Sequence, residues 1–266
     1  MSSFEIISFM KRTKGNEWIK EYLVEHVMNM LELYSIDSKS NRYGEYLLEK
    51  IFGSSIEFRY YDLMVYSIIM HDIGKAFYPL KIMEGSDHVS FSGHEVFSSI
   101  IAYESINRYL EDKTETPINI RYPVFYSIAF HHHAMSVEDR LRYGVSRAIK
   151  YVSGRREDVL EKIINDYRYF RGKVNNNIHK LLDYLEEAVD QTLNYSSGGL
   201  IRKFKDIKGD VFKIFASNKF YLKKLLHLSL ASLICLDYEA SRNSRGGGVT
   251  FFGEACIDWK EYYLCR

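Results

Sequence analysis

The stretch 68-IIMHDIGKAFYP-79 runs three apolar residues straight into His71 and Asp72. Burying a polar group without a partner costs roughly 2–7 kcal/mol. A chain that sets an imidazole beside a carboxylate at the end of an apolar run must therefore bring compensating groups from elsewhere. That demand constrains the fold more than composition does, because distant segments have to converge on one buried polar centre.

The same combination recurs along the chain. His26 lies on or beside the apolar face of 17-EWIKEYLVEHVMNMLELY-34, and His94-Glu95 follow Gly93 at the start of another helix-period segment. The run 124-VFYSIAFHHH-133 ends in His131, His132 and His133, and Asp237 interrupts the apolar run 228-LSLASLICLDYEAS-241. Singly, each is ordinary, since a lone histidine is more often a core residue than a ligand. Together they are an ordered set of imidazoles and carboxylates on separate apolar segments, which is how di-metal sites are assembled inside helix bundles.

Helical periodicity covers most of the chain and only three prolines interrupt it, so the expected fold is all-α. Helices are expected at 17–34, 43–52, 60–72, 94–112, 124–133, 136–152, 156–170, 174–195, 199–216 and 218–241. Residues 73–92 read mostly as loop and 113–123 as a linker. The tail is expected to start as a Gly-rich loop at Gly246–Gly248 and to finish as an irregular, strand-like or short helical piece. The expected organisation is a single domain over 1–266, with a metal-binding core at about 17–135 and 218–242 and a basic helical insertion at about 136–217.

Formal net charge is +1, so any surface for a polyanion must be local. Basic residues concentrate in 139–225, among them Arg140, Arg142, Arg147, Lys203, Lys223 and Lys224. This block reads either as a solvated helix face or as a phosphate-tracking surface. The three cysteines, Cys235, Cys256 and Cys265, lack zinc spacing and suggest a reducing compartment. With no apolar run near the ~18 residues of a membrane span and no secretory leader pattern, the expectation is a soluble cytoplasmic protein away from membranes.

The order His, His-Asp, His, His-His, Asp around 71-HDIGK-75 resembles the HD-domain metal-dependent phosphohydrolase superfamily. It is most similar to the stand-alone HD nuclease subunit of type I CRISPR-associated systems. The segments 25-EHV-27, 71-HDIGKA-76, 90-SFSGHEVFSS-99, 128-IAFHHHA-134 and 236-LDYEAS-241 carry the likeness. The resemblance implies an HD helical bundle with His26, His71, Asp72, His94, His131, His132 and Asp237 as metal ligands. His131 and His132 are preferred to His133 because Ile128 then keeps its usual offset before the pair.

The resemblance also implies one or two divalent ions (Mn, Mg, Co, Ni or Fe). One ion would be held by His26, His71, Asp72 and Asp237, the other by Asp72 as a bridge with His94, His131 and His132. Asp72 and Lys75 would be catalytic, with Lys75, Ser241 and Arg242 contacting the substrate. The implied activity is hydrolysis of DNA phosphodiesters, single-stranded DNA first and RNA as a further candidate. The implied partners are a separate helicase subunit and a crRNA-guided surveillance complex in CRISPR interference. The alternative is a phosphohydrolase of nucleotides or cyclic nucleotides.

Overall fold

The computed structural model describes residues 4–12, 17–53, 57–78, 91–111, 113, 118–132, 140–245 and 251–264. His88, His133, Gly246–Gly248 and Cys265 lie outside the described residues. The described chain is mostly helical, as the periodicity predicts.

It opens with a hairpin, β1 (Ile7–Arg12) antiparallel to β2 (Trp18–Tyr22), with Met10 opposite Lys20. β2 corrects the expected helix start at 17. The spacing of Trp18, Tyr22 and Leu23 fits a helix, but backbone pairing with the preceding strand β1 holds Trp18–Tyr22 extended. Helix α1 (Leu23–Leu33) follows at once, and the Leu23 amide donates to the Ile6 carbonyl at 2.8 Å.

α2 (Lys39–Phe52) starts at Ser38, whose side chain accepts from the Asn41 amide, and stops at Gly53 with φ 70°. α3 (Tyr60–Met70) is apolar on almost every face and accordingly buried, with Asp62 accepting the Arg59 amide at its start. A 3-10 turn spans Ile73–Phe77. α4 (His94–Glu111) begins after Gly93, whose φ of 94° suits glycine. α5 (Arg121–Phe130) starts inside the expected linker, because Pro123 falls in its first turn, where a missing N–H has no intrahelical acceptor anyway.

After a π-helical turn at Arg140–Gly144 come α6 (Val145–Val152), α7 (Arg156–Arg171), α8 (Asn176–Leu182) and α9 (Leu185–Leu193). The expected single helix 174–195 is thus broken at Asp183-Tyr184, where Arg171 donates to the Leu182 carbonyl at 3.2 Å and pairs with Asp183. α10 (Ser197–Ala216) and α11 (Phe220–Arg245) complete the bundle. Of the alternatives for the tail, the irregular or strand-like one is corrected and the short helical one is found: α12 (Phe251–Trp259) and a π-helical turn (Lys260–Leu264) pack on α11, burying Cys256 and Leu264.

α4, α5 and α11 pack side by side, α1, α2 and α3 close the other flank, and buried residues from 141–214 join the same apolar cluster. Among the described residues no helix is long and apolar enough to cross a membrane.

Candidate metal centre

Three helix ends meet in the interior. His71 follows the last turn of α3, His131 the last turn of α5, and His94 is the first residue of α4. Each sends Nδ1 to a main-chain oxygen three residues back: His71 to Ile68 at 2.7 Å, His94 to Phe91 at 2.8 Å, His131 to Ile128 at 2.7 Å. A carbonyl only accepts, so Nδ1 carries the proton in all three rings, and in a neutral ring Nε2 is a bare acceptor facing inward. Metal-ligating histidines are fixed in this way.

What they face is also an acceptor. His94 Nε2 lies 2.8 Å from Asp72 Oδ1, and His132 Nε2 lies 3.3 Å from His94 Nε2. His71 Nε2, His131 Nε2 and Asp72 Oδ1 are buried without a hydrogen-bond partner. Acceptors this close and this buried need a proton or a cation between them.

The donors fall into two groups whose atoms lie within 4.8 Å of one another: Asp72, His94, His131 and His132, and His26, His71 and Asp237. Asp72 joins them, with Oδ1 toward His94 and Oδ2 3.4 Å from His71 Nε2. His26 Nε2 is 3.0 Å from Asp237 Oδ1. These residues fit one or two divalent ions of the kind that accept mixed imidazole and carboxylate donors. Solvent reaches the cluster at Asp237 and His132, and the other five ligands are buried.

Electrostatics favour neutral rings at His131 and His132 and ionised carboxylates at Asp72 and Asp237, whereas His26, set between Asp237 and Glu21, is pushed up. Burial pushes His131 down to about 3, helped by the neighbouring His71. His132 is held well below its ordinary value by burial, then by His131 and His94. Burial opposes ionisation of Asp72, but His71, Lys75 and His94 outweigh it and hold the carboxyl well below its usual range. Asp237 behaves likewise through His26.

An outer layer fixes the inner one. Lys75 Nζ donates to Asp72 Oδ2, to the Ser8 carbonyl at 2.9 Å and to Ser8 Oγ at 3.3 Å. Ser241 Oγ donates to Asp237 Oδ1 at 3.4 Å. Arg242 is tied to buried Glu239 at 2.9–3.3 Å, on the α12 side of α11. Glu95 pairs with Arg140 at 3.0 Å and stands 3.5 Å from His94 Nδ1. Gly74 is required by close approach, since a Cβ there would overlap the His94 carbonyl oxygen.

All seven expected ligands therefore converge, and Lys75 and Ser241 adjoin them. Unanticipated are Ser8, Glu21 and Arg140. Glu21 stands 3.5 Å from His26 Nδ1 and receives Arg245 at 2.7 Å. The only sequence cue was the proximity of Glu21 to His26, and the strand that aims it was read as helix. Comparison of the chain with family models, curated proteins and solved structures returns no match.

Proposed function

We propose that the protein is a metal-dependent phosphodiester hydrolase, a nuclease acting on DNA with preference for single strands. The observation that carries this reading is the pair of adjoining donor groups, one holding Asp72 and the other bringing His71 Nε2 to 3.4 Å from its Oδ2. Divalent ions held by these residues would supply Lewis acidity there, activating a water and offsetting the charge that develops on the phosphodiester oxygens.

The chain's own residues do the rest. The Nδ1 bonds of His71, His94 and His131 keep their Nε2 lone pairs aimed at the centre. Lys75 spends its three N–H donors on Asp72 and Ser8, which makes it a positioning residue for that carboxylate. Ser241 orients Asp237 at the solvent-facing edge, where a phosphate would enter. By the resemblance in its motifs, the protein would act in CRISPR interference beside a separate helicase and a guided complex.

The test is cleavage of labelled single-stranded DNA, duplex DNA and RNA with added Mn, Mg, Co or Ni. The expected result is metal-dependent cleavage of single-stranded DNA that falls at least about 100-fold in Asp72→Ala, as for removal of a group central to catalysis. Turnover of nucleotides with every polymer intact would move the assignment to a small-molecule phosphohydrolase. No turnover of either would remove it.

A further inference from the structure

Several basic residues of 139–225 are already committed to carboxylates. Arg140, Arg156, Arg171, Lys203 and Lys213 are each paired with a carboxylate. A different arrangement stands where the first turn of α11 meets α2. There Tyr43, Tyr46, Phe220 and Tyr221 form a chain of rings, with centroids 6.2 Å, 6.4 Å and 5.7 Å apart. Phe220 is 58% exposed and Tyr46 44%. Lysine ammonium groups stand over these rings: Lys50 lies 5.5 Å from Tyr46, and Lys224 lies 4.3 Å from Phe220 and 6.0 Å from Tyr43.

Among the described residues, Lys50 and Lys224 have no ion-pair partner. Of the α2 acids, Glu45 accepts the Tyr61 amide and Glu49 is exposed. A groove of about 550 Å³ lined by Lys50, Lys219 and Phe220 flanks the rings on one side, and an apolar groove of about 710 Å³ with Tyr43 and Lys224 among its lining residues lies on the other.

We infer that this patch, Tyr43, Tyr46, Phe220 and Tyr221 with Lys50 and Lys224, is a second binding site that holds single-stranded nucleic acid away from the metal centre. Aromatic faces that stack bases, interleaved with cations that neutralise phosphates, are what sequence-tolerant strand binding uses. A duplex keeps its bases stacked inside and offers the rings nothing. A protein partner fits less well, because lysine is depleted at the centre of protein interfaces. Phe220 and Asp237 are 17 residues apart on one helix, roughly 25 Å along its axis, so the patch grips a part of the strand remote from the cut. The choice of a nucleic acid over another polyanion rests on the function proposed above.

The experiment reads binding without cleavage. A labelled oligo-dT is titrated with full-length protein in EDTA, by fluorescence anisotropy, at several salt concentrations. Tyr46→Ala/Phe220→Ala is expected to weaken binding about tenfold or more. Lys50→Ala/Lys224→Ala is expected to lower the slope of log K against log salt by about 1.4, two phosphate contacts at about 0.7 each. The lysine pair guards against a fold defect in the aromatic pair, and far-UV circular dichroism checks both. Wild-type affinity and slope in both variants would overturn the patch. So would a wild-type protein that binds no strand, or variants that lose only self-association. A strand held through the patch by a protein that hydrolyses nothing with any metal would overturn the activity and leave the patch standing.

Discussion

His26 sits between two carboxylates, Asp237 at 3.0 Å from Nε2 and Glu21 at 3.5 Å from Nδ1. Burial alone would lower its pKa, but those partners outweigh burial and raise it above the ordinary 6.5. The ring therefore keeps its second proton to higher pH than a free imidazole in the metal-free protein, and its Nε2 must surrender that proton before it can serve as a ligand. His131, held down to about 3, is already neutral and surrenders none. Mn affinity is thus expected to rise as pH goes from 6 to 8, approaching tenfold per unit at the lower end. Calorimetry in buffers of different ionisation heat should detect about one proton released at the His26 side. An affinity flat across that range would sink this account. In the metal-free fold the two rings act oppositely on stability: the His26 contribution is full below about 6.5 and fades as pH rises through its raised pKa, whereas His131 costs stability as pH falls from about 6.5 toward 3. The ligands themselves were legible because imidazoles and carboxylates are conspicuous in apolar helices. Glu21 and Ser8 were not, since their roles depend on a hairpin folding back over α1 and the Ile73–Phe77 turn.

That hairpin is tethered at its entry by a buried carboxylate. Asp166 on α7 is buried and accepts the Glu5 and Ile6 amides, each at 2.9 Å, at the entry to β1. Downstream on the same strand, Ser8 offers its carbonyl and hydroxyl to Lys75. Asp166→Ala leaves two main-chain donors without acceptors, which costs about 2–6 kcal/mol at 1–3 for each unsatisfied group. It should also weaken Mn binding, because the strand that seats Lys75 against Asp72 loses its tether. Denaturant midpoints and Mn titrations check the two effects, and Asp166→Asn, which keeps one acceptor oxygen, should fall between. Unchanged stability and affinity in Asp166→Ala would make β1 self-supporting. Helices such as 94–112, 156–170 and 199–216 were legible to within about two residues because their apolar period is set by their own sequence. Trp18–Tyr22 was not, because it is extended only through a partner strand, and nothing local distinguishes it from a first helical turn.

At the scale of the molecule, the centre draws ligands from or beside α1, α3, α4, α5 and α11, from His26 to Asp237. An all-α bundle was readable from periodicity, whereas the closeness of these five helix segments follows from packing that no single segment encodes. Without an ion, the bundle must hold bare acceptors face to face at its middle. Metal should therefore stabilise the whole fold and not one loop. Binding at 100 times Kd adds about 2.7 kcal/mol per ion. For a chain of this size each kcal/mol raises the melting temperature by about 2–4 °C, so each ion should add about 5–10 °C. Melting in EDTA against melting in saturating Mn reads this directly. Asp72→Ala, which removes the carboxylate that faces both donor groups, should erase most of the difference, while a substitution on the exposed α2–α11 patch such as Lys224→Ala should leave it intact. A wild-type melting point indifferent to EDTA and Mn alike would mean that the buried acceptors are satisfied by protons, and the case for a metal centre would fall with it.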